Sequence, residues 1–116
     1  MSTPIFTPSS KMHLIPASST VPTAIKPTLF DTRMEYGGSE LKITNISTVV
    51  AYVAWGITAA RAEAAAVVPA DGSPTDVVAV FPNSEVVFNL PINQFFTAVT
   101  STVGPHSVLI QRGKGF

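Results

Sequence analysis

The ten prolines and seven glycines of this 116-residue chain divide it into pieces too short for most architectures. From Thr28 onward, Gly, Pro and Asn separate runs of five to nine residues that are rich in β-branched and aromatic side chains. Thr28–Tyr36 ends at Gly37-Gly38. Leu41–Asn45 alternates Leu41, Ile43 and Asn45 with Lys42 and Thr44, the period of a half-buried strand. Thr48–Gly56 is apolar on both faces and stops at Gly56, the pattern of a central strand. Val77–Phe81 stops at Pro82-Asn83, and Glu85–Leu90 at Pro91. Phe95–Thr100 and Ser107–Gln111 lie on either side of the Gly104-Pro105 turn. Seven short strands with turns between them predict an all-β body, a β-sandwich or jelly-roll-like fold. The alternation assigns Leu41, Ile43, Val50, Tyr52, Ala54, Val78, Val80, Val86, Phe88, Phe96, Ala98, Val108 and Ile110 to the core. Ile57–Val68 interrupts the pattern. It holds six Ala, lacks an evident cap and ends at Pro69, so a long loop with at most two turns of helix is expected.

Residues 1–28 differ in kind. Fifteen of them are Ser, Thr or Pro, none is Gly or acidic, and Lys11 and Lys26 are the charges. Pro4, Pro8, Pro16, Pro22 and Pro27 exclude a long helix and favour extended backbone. The scattered apolar residues set the segment apart from a solvated linker. It is read as an extended N-terminal arm over 1–36, ahead of a sandwich domain over 37–116. Ile5, Phe6, Leu14, Ile15 and Ile25 are its expected anchors on a partner. A chain lacking residues 1–27 is then expected to fold and to lose its attachment.

Charge restricts function. Only 12% of residues are charged, seven basic against seven acidic, and mean hydropathy is +0.36. A typical soluble domain carries about 25% charged residues. There is no basic excess to displace counterions from nucleic acid. The absence of Cys removes thiol chemistry and thiolate metal sites. No apolar run approaches the ~20 residues of a spanning helix, and no secretory leader is evident. The composition suits a surface largely covered by partners.

Catalytic and metal-binding groups are sparse. His13 and His106 are 93 positions apart with no acidic residue at ligand spacing. No G-x-S-x-G occurs. The acid pairs Asp71/Asp76 and Glu35/Glu40 flank turns, where such residues usually cap or solvate. Gly113-Lys114-Gly115 lacks the strand–loop–helix setting of a phosphate loop. Asn45-Ile46-Ser47 matches a glycosylation sequon without an export signal. No enzyme activity, cofactor or metal is expected. Trp55 ends the most apolar strand, and one of Phe95 and Phe96 must face outward, so Trp55 and Phe95 join the expected interface residues. The competing use is a carbohydrate-stacking platform built from Trp55, Tyr52 or Phe95.

Several of these segments also form a joint pattern. Ile43-Thr44-Asn45 is followed by the run Val49–Gly56 ending aromatic-Gly, the Ala-rich Ile57–Val68 and the polar turn Asp71–Ser73. The strands Val86–Phe88 and Phe95–Thr100 and the terminal Val108–Gly115 complete it. From Lys42 to Phe116 the chain resembles small structural proteins encoded by tailed bacteriophages. That resemblance implies an accessory virion protein of the capsid cement or decoration type. It would be assembled in the host cytoplasm onto the capsid exterior, bound to the major capsid protein of the phage head. The charge-poor composition by itself adds the expectation that the chain binds copies of itself as a homo-oligomer, dimer or trimer. Nucleic acid and membrane are not expected partners. A tail or neck component, such as a fibre attachment, spike base or head-completion protein, is the alternative within the same class.

Overall fold

The computed structural model describes residues 7–8, 10–27, 40–89 and 94–114. Among these, two antiparallel sheets and one short helix form an all-β body. The first sheet has five strands. β1 (Thr7–Pro8) and β2 (His13–Ala17) both pair with one side of β8 (His106–Lys114), whose other side pairs with β3 (Glu40–Asn45) and then β6 (Ser84–Asn89). The second sheet has the order β5 (Val78–Val80), β4 (Ala51–Gly56), β7 (Phe95–Val99). The expected strands after Glu40 are all present with ends shifted by a few residues, and β4 is central as its two apolar faces required. Thr28–Tyr36 lies outside the described residues.

Period-two alternation builds the core. In the first sheet the inward rows align Phe88, Leu41 and Arg112, then Val86, Ile43 and Ile110, then Ser84, Asn45 and Val108. Across the gap, Ala51 and Val53 of β4, Phe96 and Ala98 of β7 and Val80 of β5 close the main cluster. The other face of the second sheet is covered as well. Ala54 and Val99 pack there with Ala66, Val21, Tyr52 and Val68. β4 therefore buries both faces, and this explains two differences from expectation. Val53 is fully buried although alternation favoured Tyr52 and Ala54, because a strand apolar on both sides gives no phase. Val50 precedes β4 and Val78 begins β5, and both are only half-buried.

α1 (Ala59–Ala65) spans two turns, as expected from its length. The expected lack of a cap is corrected: Thr58 is extended and its hydroxyl accepts from Arg61 N–H at 3.1 Å. Gly56 is required by this packing, because a Cβ there would sit 2.8 Å from Ala62 N and Arg61 Cβ. Asn83, at φ 55°, makes the left-handed turn that passes the chain from β5 to β6.

The larger correction concerns the N-terminal segment. Residues 10–27, expected to belong to an arm, are built into both sheets. Ile15 and Ala17 are 1% and 0% exposed in the main core. Ser10 bonds Arg112 through backbone and hydroxyl. Ser18 bridges Val99, and Ile25 exchanges both backbone hydrogen bonds with Phe96 at 2.9 and 2.7 Å. Ala24 N–H donates to Glu63 Oε2 at 2.8 Å, and Thr97 Oγ1 donates to Pro22 O at 2.9 Å. The Pro and Ser/Thr content that suggested an arm is equally that of a segment which crosses from one sheet to the other without helix.

Candidate functional site

Among the described residues no group of three or more His, Cys, Asp or Glu is placed to hold a metal. His13 stands opposite Ile110 in the first sheet. His106 starts β8, with Nε2 at 3.1 Å from Thr102 Oγ1. Asp71 and Asp76 are exposed around the turn at Gly72. Glu85 accepts from Thr44 Oγ1 at 3.3 Å and pairs with Lys42 Nζ at 3.5 Å. Glu63 fastens the N-terminal segment to α1. These acids thus hold or solvate structure. Glu35 lies outside the described residues.

Asn45, the candidate sequon, is 0% exposed. Its Nδ2 donates to Val49 O at 2.8 Å and Val80 O at 2.9 Å, while Oδ1 accepts from Ser47 N–H at 3.0 Å and Ser47 Oγ at 2.7 Å. Every polar position of the amide is occupied, so the folded protein offers no acceptor for a glycan. The side chain instead pins β3 of one sheet to β5 of the other.

The three aromatic candidates for a stacking platform are divided between the two faces of the second sheet. Trp55 is half-buried and packs on the main cluster between the sheets, whereas Tyr52 packs on the opposite face of β4. Phe96 pairs with Trp55 in register and is 2% exposed; Phe95 is half-buried opposite Gly56 on the face of Thr97 and Val99. Tyr52 and Trp55 therefore cannot stack on one sugar. Of the expected interface residues, Ile15 is consumed by the chain's own core, Ile25 is half-buried against it, and Leu14 is 53% exposed on the outward face of the first sheet beside Leu109. Ile5 and Phe6 lie outside the described residues.

What the surface offers is apolar side chains on several sides. Besides Leu14, Met12, Ile46, Ile57, Val67, Phe81 and Val103 are at least half exposed, with Phe81 at 64% and Val103 at 79%. Alternation missed these residues because most stand in turns. The available signal was an apolar residue next to a breaker, as in Phe81-Pro82 and Val103-Gly104, where the chain provides no interior. An open apolar groove of about 400 Å³ lies between Ser19 and Val21, the end of α1 at Ala66–Val68, and Val99–Ser101.

Burial, and then Lys11, hold His13 below its ordinary value of 6.5. Below that pH the unfolded chain gains a proton that the folded chain resists, so stability falls as pH drops through and below 6.5. Denaturant midpoints at pH 7 and 5 should show this loss, and His13→Gln should reduce it; an equal loss in both proteins would contradict the assignment. No protein family, curated protein or solved structure matches the chain.

Proposed function

We propose that the protein is a structural component of a virion, a capsid cement or decoration protein that stabilises a phage head by bridging shell subunits. The observation that carries this reading is the distribution of exposed apolar residues. Leu14 and Met12 lie at the first sheet, Ile57 and Val67 at the two ends of α1, and Ile46, Phe81 and Val103 at connections. A small-ligand protein concentrates its apolar surface in one cleft. A subunit that joins neighbours needs adhesive surface on more than one side and few charges to desolvate. The likeness of Lys42–Phe116 to small phage structural proteins supports the same reading. In this proposal Ile5 and Phe6 remain as anchors on the major capsid protein, and no catalytic step is involved.

Quantitative mass spectrometry of purified particles tests the proposal. A shell protein is expected at a copy number comparable to the capsid lattice, and a few copies per particle would move it to the tail or neck. Absence from particles would overturn the virion reading. Deleting residues 1–6 should leave the fold intact and weaken attachment; undiminished attachment would remove Ile5 and Phe6 from the interface.

A further inference from the structure

β6 is the outermost strand of the first sheet, and among the described residues no strand lies beyond it. Its six residues, Ser84–Asn89, contain neither Lys nor Pro, the residues with which proteins commonly block sheet edges. Its one charge, Glu85, is directed along the sheet to Lys42. The inward side chains Val86 and Phe88 pack on the main cluster but are only half-buried. The neighbouring strand of the other sheet, β5, is only three residues long. Phe81, 64% exposed, lies on the connection into β6.

The hydrogen-bond phase of the edge follows from its neighbours. Antiparallel ladders bond alternate residues to each side. Ser107 O accepts from Ile46 N–H on the β3 side of β8, and Arg112 O accepts from Ser10 N–H on the other side. Odd-numbered β8 residues therefore face β3. Leu41, Ile43 and Asn45 stand opposite even-numbered ones and turn their backbone groups to β6. Their partners there are Phe88, Val86 and Ser84. The N–H and C=O of Glu85 and Val87 thus point away from the sheet.

We propose that this edge pairs with the same edge of a second copy, antiparallel, about a two-fold axis through Val87. In that register Val87 meets Val87, each Val86 meets a Phe88 on the inner face, and each Glu85 meets an Asn89. Apolar residues oppose apolar residues, and the carboxylate opposes an amide, with no like charges paired. A two-fold through Val86 is poorer, because it sets Ser84 against Phe88 and Glu85 against Val87. The outward backbone groups of the two Val87 residues bond each other, and the first sheet continues across both protomers. The proposal rests on the sheet edge and not on the virion role: a monomer in solution overturns it and leaves the virion reading standing.

Sedimentation or light scattering of the full chain should give twice 12.2 kDa. Val87→Glu places two carboxylates across the axis and should weaken the dimer at least about 100-fold, with an unchanged circular dichroism spectrum. Val87→Pro removes an outward N–H without touching the β3 ladder and should act in the same direction. Val87→Cys would be the chain's one thiol. Facing residues of a bonded antiparallel pair lie ~5.5 Å apart at Cα, within disulfide reach, so mild oxidation should link it into a covalent dimer, whereas Val103→Cys should not link. A monomeric native protein, a dimer that survives Val87→Glu, or a Val87→Cys protein that resists oxidation to dimer would each overturn the proposal.

Discussion

Removal of residues 1–27 is expected to abolish folding. The deletion takes away β1 and β2, leaving Val108 and Ile110 of β8, both 0% exposed, without a covering strand. It takes Ile15, Ala17 and Ala24 out of the interior, and with Ile25 it breaks the backbone pair to Phe96. The far face of the second sheet loses Val21 over Val99 and the Pro22 carbonyl that receives the Thr97 hydroxyl. A buried Ile side chain contributes about 2–3 kcal/mol, and a domain of this size has about 5–15 kcal/mol in all. The combined loss reaches the whole stability of the fold. The truncated chain should show no cooperative thermal or denaturant transition and poorly dispersed amide resonances. Ile15→Ala should cost about 2–5 kcal/mol by itself while retaining a cooperative transition. A truncated protein that unfolds cooperatively at a temperature near that of the full chain would show that residues 10–27 are not part of the core.

This outcome is the reverse of what composition suggests, and the reason is physical. Strand alternation in Leu41–Asn45 and at Val86 and Phe88 is a local signal, and the structure follows it. The same holds for the breaks at Gly56, Pro82-Asn83 and Gly104-Pro105. The N-terminal segment has no local signal. Ile15 reads as one apolar residue between Leu14 and Pro16, and only its register against Val108 makes it interior. Phase on β4 was illegible for a related reason: helix α1 and residues 18–25 cover the face that a two-layer sandwich would leave wet, so Tyr52 and Val53 are both drawn inward to different depths. Scarcity of charge implies that apolar side chains remain on the surface, and it does not say which ones. Leu14 and Ile15 are neighbours of similar chemistry, and the pleat sends one to solvent and the other to the core.

The second large effect is expected at Asn45. Its amide sits where β3 leaves the first sheet and supplies both donors to carbonyls, one from Val49 at the corner and one from Val80 in the second sheet. Asn45→Ala removes these bonds together with the two that Ser47 donates to Oδ1, and the buried Val80 carbonyl loses this donor. An unsatisfied buried carbonyl costs about 1–3 kcal/mol, and with the other lost bonds the total should be about 3–5 kcal/mol, read as a lower denaturant midpoint at an unchanged slope. Asn45→Asp should be worse near neutral pH, since an ionised oxygen would then face two carbonyl oxygens in a site closed to water. Burial and those carbonyls raise the folded pKa of the new acid above its unfolded value. The penalty is therefore greatest above the folded pKa and diminishes as pH falls toward the unfolded value near ~4. The expected signature is an Asn45→Asp protein that gains stability relative to wild type on acidification, while the Asn45→Ala protein stays offset by a constant amount. A loss below about 1 kcal/mol in the Asn45→Ala protein would mean that the two sheets are held in register by apolar packing alone.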